Sequence, residues 1–235
     1  MAFGRLREDA ALKPPKAAHL AIAPRVPVLL DDVDVSEVCD GARFERVRIV
    51  GTSTGLEAHD VELNESLASS VVLSGGTFVG VQIIDVLFDG CDLSGLTLRE
   101  ATLRRVEFRD CRLSGLVLPE ARLYDVRFVG CKLNDASLRR VVGERVHAED
   151  SMLVGADFYG AKLSDARMID CDLTGVDFSQ SAVHGARFHG SKLDGLKGSE
   201  SLRNIAIDTT QVLDLAVGLF NAYGIRVDGE SATAS

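Results

Sequence analysis

From Val61 to Glu200 the chain repeats one pattern of apolar and polar positions, in frame, through 28 consecutive five-residue blocks. Val61-Glu-Leu-Asn-Glu65, Cys91-Asp-Leu-Ser-Gly95, Cys111-Arg-Leu-Ser-Gly115, Ala156-Asp-Phe-Tyr-Gly160 and Ser191-Lys-Leu-Asp-Gly195 are examples. The third residue is nearly always Leu or Phe, the first is small or β-branched, and the other three are mostly polar, charged or Gly. Apolar residues at positions one and three give the alternation of a strand. Five is odd, so positions four and five both face outward and the chain must turn a corner before the next inward residue. Neither a helical period nor a heptad fits this spacing.

A second period of 20 residues lies over the first. Leu73, Leu93, Leu113, Leu133, Leu153, Leu173 and Leu193 fall in one column, and Phe88, Phe108, Phe128 and Phe188 in another with Met168. Like stacks on like if four sides close one coil. Small units that bury their apolar faces only by stacking predict a solenoid. Seven coils at strand spacing predict a rod roughly 33 Å long.

The pattern of a small residue, then Asp or Asn, then Leu or Phe, then two variable residues resembles that of the pentapeptide-repeat family. The resemblance implies an all-β solenoid: a right-handed quadrilateral β-helix, here of about seven to eight coils. The leader, the Asp40-Gly-Ala-Arg-Phe44 start and the chain's ending resemble a full-length form of the family from actinobacteria. The expected organisation is an N-terminal arm and cap over 1–41, the β-helix over 42–205, and a C-terminal helix with a disordered tail over 206–235.

Pro14, Pro15, Pro24 and Pro27 exclude a long helix in the leader. Its apolar stretches, Ala18 to Ile22 and Val26 to Leu30, predict an extended arm laid over the first coil, where open strand edges need cover. Thr52 to Asp60 is nine residues, one short of two blocks, and predicts a small irregular corner or loop. Gly143 and Ala148 stand where large inward residues belong. Either Phe128 and Met168 swing in to fill the space, the favoured reading, or the coil is weak and offers a groove. Near the end, Asp208 with Gln211 has the form of a capping box, predicting a helix over Thr209 to Ala222 with Gly224 as its C-cap. Val212, Leu215, Ala216, Leu219 and Tyr223 share one face, expected to plug the rod. Leu213, Val217 and Phe220 share another, expected to form a homodimer, the alternative being that both faces curl into the cap.

Composition narrows the chemistry. Net charge is −9, from 35 acidic and 26 basic residues, and the basic residues are spread rather than clustered, so direct nucleic-acid binding is not expected. No run of 18 apolar residues and no signal sequence is present, so the expectation is a cytoplasmic protein without membrane contact. Cys91, Cys111, Cys131 and Cys171 occupy one inward column, where parallel Cβ vectors suit disulfides poorly and a straight ladder cannot surround a metal; buried free thiols are expected. Gly51-Thr-Ser-Thr-Gly55 lacks the lysine of a phosphate-binding loop; of the five histidines, His184 and His189 sit on successive sides of one coil with no Cys or carboxylate at ligand spacing, and solvated surface histidines are expected. No enzyme, cofactor or metal is expected.

The function expected is therefore a non-enzymatic scaffold for protein–protein interaction with an unidentified partner. The resemblance implies an alternative: an acidic rod that imitates duplex DNA, binds DNA gyrase and protects it from quinolones. Its candidate acidic patch is Glu144, Glu149, Asp150, Asp165 and Asp170. Against it, the outward ladder Glu65, Asp85, Arg105, Asp125, Arg145, Asp165 alternates in sign over most of its length, a stabilising arrangement on adjacent strands rather than a uniformly negative surface.

Overall fold

The corner of every coil is made at the fifth position of a block, whose backbone adopts the left-handed conformation whatever the residue. Asp85, Arg105, Asp125 and Arg145 have φ of 56°, 52°, 57° and 54°. That conformation costs a non-glycine residue on the order of 1 kcal/mol, which the stacking on both sides must offset. In the computed structural model, which describes residues 20–225, the corners divide the chain into short parallel segments. Each segment hydrogen-bonds to the segment 20 residues later: Leu103 pairs with Ile83 and Leu123, and Phe108 with Phe88 and Phe128. The quadrilateral solenoid expected from the double period is present. It runs for about nine turns because flanking chain also stacks. Before the repeats, Asp31–Asp34 pairs with Val47–Val50; after them, Leu202 pairs with Val183 and Ala206 bridges Arg187.

First and third positions fill the interior. Leu113, Leu133 and Leu173 are fully buried, and so are the small residues Ala121, Ala136 and Ala161. Phe88, Phe108 and Phe128 stack nearly face to face, with centroids 4.8 and 5.1 Å apart. Cys91, Cys111, Cys131 and Cys171 are buried free thiols. The Cys111 Sγ donates to the Arg109 carbonyl at 3.2 Å. Ser151 reproduces the arrangement: its Oγ donates to Glu149 O at 2.8 Å and accepts from Cys131 N–H at 3.0 Å. Burial pushes the Cys171 thiol up to about 11.

Two expectations about irregularities need correction. Thr52–Thr54 is not a loop but a strand paired with Val72–Ser74. The missing residue is at the corner before it. Gly51 O accepts from Val72 N–H just as Val71 O accepts from Asp92 N–H, so Gly51 closes one block and opens the next. Its φ of +100° and the Asp34 carboxylate, 2.5 Å from where a Cβ would lie, both require glycine. At Gly143 no groove opens. The space a Cβ would take is occupied by Leu163 Cδ2 at 2.7 Å and Val146 Cγ2 at 2.8 Å, two side chains not expected there, while Phe128 and Met168 flank Ala148 on either side.

At the C-terminal end the capping box forms: Asp208 N–H donates to Gln211 Oε1 at 2.7 Å, and α1 (Val212–Ala222) follows. Gly224 turns with φ +68°. The expected tail lies outside the described residues.

Candidate interaction surface

Residues 20–30 run lengthwise along one outward face of the rod, not across its first coil as expected. Ala21 N–H donates to His147 Nδ1 at 3.3 Å, Ile22 N–H to Asp125 Oδ1 at 3.1 Å, and Arg25 N–H to Asp85 Oδ1 at 3.1 Å. The arm thus descends several coils before Asp31–Asp34 joins the ladder. Two facts explain the difference. Val35, 1% exposed, already closes the N-terminal end, aided by Val38 and Phe44 packed on the core. And Pro24 and Pro27 supply no N–H for a ladder, so the arm is held by side-chain acceptors instead.

Those acceptors belong to a desolvated charge ladder. Arg105 grips Asp85 through Nε–Oδ1 at 2.7 Å and Nη2–Oδ2 at 2.5 Å, and Arg145 grips Asp125 at 2.6 and 3.0 Å. Asp85 and Asp125 are only 5% and 4% exposed. The guanidinium of Arg105 holds the Asp85 carboxyl below its usual range, and that of Arg145 does the same for Asp125. On the adjoining side, buried Glu107 bridges Arg109 at 2.5 Å and Arg127 at 2.9 Å. Buried charge persists only when paired and hydrogen-bonded this fully. His147 stands next in that column, 2% exposed. Burial, with Arg167 and Arg127 nearby, depresses its pKa to about 4. Its Nδ1 accepts from the arm, which places the proton of the neutral ring on Nε2, an atom with no hydrogen-bond partner among the described residues.

The five residues of the candidate acidic patch are split between two corners. Glu144 and Asp165 lie at one, Glu149, Asp150 and Asp170 at the next. Between them lies the paired His147 and Arg167. Glu144 is ion-paired with Arg145, and Glu149 lies 4.0 Å from Arg127; Asp150 and Asp170 are exposed.

At the far end, α1 stands on the last coil. Gln211, 3% exposed, donates through Nε2 to the carbonyls of Phe188 and Ser191, both at 2.5 Å. Leu215 packs against the core. Gly218 lies so close to Leu196 O and Ser199 Oγ that a Cβ there would meet them at 3.2 and 3.1 Å. Of the face expected to plug the rod, Val212 and Tyr223 are instead 55% and 72% exposed. Leu213, Val217 and Phe220 are exposed at 73%, 50% and 39%, so one side of α1 is apolar and uncovered in the single chain.

Among the described residues, no group of three or more His, Cys, Asp and Glu could hold a metal ion, and no helix is long and apolar enough to cross a membrane.

A family model described as "Pentapeptide repeat region" matches residues 59–138 and 81–156, and one described as "Pentapeptide repeats (8 copies)" matches residues 144–180. No curated protein matches the sequence. Among solved structures, trypsin-treated QnrB1, a plasmid-mediated fluoroquinolone resistance protein, is 21% identical, with a TM-score of 0.40, over 80% of this chain and 99% of its own. HetL, a pentapeptide repeat protein involved in heterocyst differentiation regulation from the cyanobacterium Nostoc sp. strain PCC 7120, is 17% identical at a TM-score of 0.28, over 71% of this chain and 87% of its own. Rfr23 from the cyanobacterium Cyanothece 51142 is 16% identical at 0.17, over 67% and 88%.

Proposed function

The chain belongs to the pentapeptide-repeat family, and from that premise we propose that it is a non-enzymatic scaffold, working in the cytoplasm as a homodimer joined through α1 and presenting its outward faces to a partner protein. The observation that carries this reading is the uncovered apolar side of α1, with Leu213 73% and Phe220 39% exposed at the end of the rod. Exposed apolar surface of this kind on a folded chain marks an association site. A second copy is the occupant that fits, because one helix face can meet its own image across a two-fold axis and close the assembly. Sedimentation of the full chain is expected to give a dimer, and Leu213→Glu with Phe220→Glu a folded monomer. A wild-type monomer at tens of micromolar would sink the proposal.

Rod form and a net charge of −9 favour a second reading, imitation of duplex DNA at DNA gyrase. The interruption of the acidic patch by His147 and Arg167, and the internal pairing of Glu144, weigh against it. A supercoiling assay with and without a fluoroquinolone tests it. Inhibition or drug protection at submicromolar protein supports mimicry, and indifference at tens of micromolar removes it.

A further inference from the structure

The stack of phenylalanine rings stops short of the N-terminal end. Phe128, Phe108 and Phe88 follow one another down a single column, and the next place down is taken by Ala68, which pairs with Phe88. Alanine differs from phenylalanine by one phenyl group, so one ring is missing from the sequence of stacked rings. A cavity of about 90 Å³ runs through the interior of the N-terminal coils, from Val35 to Leu118, and passes Ala68 and Phe88; Ile49, Ile83, Leu93 and Leu98 are also among its walls, and only apolar residues line it.

The walls at this end are also less tightly sealed than the rest of the rod. Phe88 is 9% exposed against 2% for both Phe108 and Phe128, and Ile83 is 6% against 0% for Leu103 and Leu123, its successors in the same column. Leu63 and Leu73 are only partly buried, whereas Leu123 and Leu133 are wholly so. A cavity lined by apolar atoms alone offers water no hydrogen-bond partner, and a guest restores the dispersion contacts its lining lacks. A cavity of about 150 Å³ with similar walls takes up benzene or xenon.

We infer that the N-terminal coils of this solenoid hold a binding site for a small uncharged hydrocarbon group, an aromatic ring or short alkyl segment, seated in the place Ala68 leaves vacant beside Phe88. Charged and hydrogen-bonding ligands are excluded, because no lining side chain can replace their water.

Xenon and benzene are the probes. Methyl NMR of the full chain under xenon pressure is expected to show saturable shifts at Ile83, Leu93 and Leu98 and none at Leu133, Leu153 and Leu173, with benzene perturbing the same set. Ala68→Phe, which supplies the missing ring from within, is expected to abolish both responses. Absence of shifts, shifts spread evenly along the rod, or unchanged xenon uptake in Ala68→Phe would each overturn the assignment. Failure of Ala68→Phe to fold would also count against it, since a vacant place accommodates a ring; Ala68→Leu is read in the same way.

Discussion

Arg145 holds Asp125 across one coil with two parallel hydrogen bonds, Nε to Oδ1 at 2.6 Å and Nη2 to Oδ2 at 3.0 Å, and the same Oδ1 receives the Ile22 N–H of the arm. One carboxylate therefore closes an ion pair and anchors a distant segment. Removing it as Asp125→Ala leaves Arg145 without its main partner and the Ile22 amide without an acceptor. A loss of about 3 kcal/mol is expected, measured by urea unfolding, with hydrogen exchange at Ile22 accelerated. Asp125→Asn keeps an acceptor oxygen, so it should retain much of the Ile22 protection while losing the ion pair. Equal exchange in the two variants would refute this division of labour.

His147 makes stability depend on pH in a definite window. Its folded pKa, near 4, lies below the unfolded value of about 6.5. The folded state therefore refuses a proton that the unfolded chain accepts, and the stabilisation, complete above pH 6.5, is lost as pH falls toward 4. The loss amounts to roughly 3 kcal/mol from a depression of about 2.5 units. Asp85 and Asp125 act in a lower range, since their depressed folded values place the loss below the ordinary carboxylate pKa of about 3.9. Urea midpoints at a series of pH values should decline through the His147 window in the wild type and stay flatter in His147→Gln. Parallel curves would count against the buried, arm-bound histidine.

Thiol chemistry should separate one cysteine from four. Cys39 is exposed, whereas Cys91, Cys111, Cys131 and Cys171 are buried. A thiol reagent is expected to titrate one equivalent in the native protein and five in denaturant. Because Ser151 and Ser191 already occupy the same column and donate to Phe128 O and Met168 O as Cys111 does to Phe88 O, Cys111→Ser should cost less than about 1 kcal/mol, while Cys111→Leu overpacks the column and costs ~1–3 kcal/mol.

Position 143 inverts the rule of the repeat. The third place of a block ordinarily wants Leu, yet Gly143→Ala is expected to destabilise by about 1–3 kcal/mol, because its Cβ would enter the volume of Leu163 and Val146. Thermal unfolding would decide. A stabilised variant would mean that the coil has room after all.

The coil was legible from the sequence because its signal is repeated: every Leu in the column from Leu73 to Leu193 testifies to the same side of the same polygon. The helix start was legible for a local reason, the spacing of Asp208 and Gln211. What could not be read were relationships between single residues far apart. Asp85, Asp125 and His147 occupy outward positions like any solvated residue, and nothing in their spacing says that an arm will cover them. The nine-residue count from Thr52 to Asp60 located a deletion but not its resolution, which depended on Gly51 taking a conformation open to glycine and on Asp34 lying against it. The exposure of Leu213, Val217 and Phe220 was legible but that of Val212 and Tyr223 was not, and the separation of Glu144 and Asp165 from Glu149, Asp150 and Asp170 emerges only once corners are assigned to a register.

The lengthwise path of the arm has a bearing on how the molecule assembles. Coil contacts join residues about 20 apart and permit growth one turn at a time, but Ala21 meets His147 across 126 positions. Contacts of such separation are slow to form. On a ribosome the arm emerges before the coils it lies on and must wait, unhoused, until the coil carrying His147 has been made. A segment made early therefore docks only after much of the rod has formed, and by spanning several coils it binds units that would otherwise fray separately into one cooperative body.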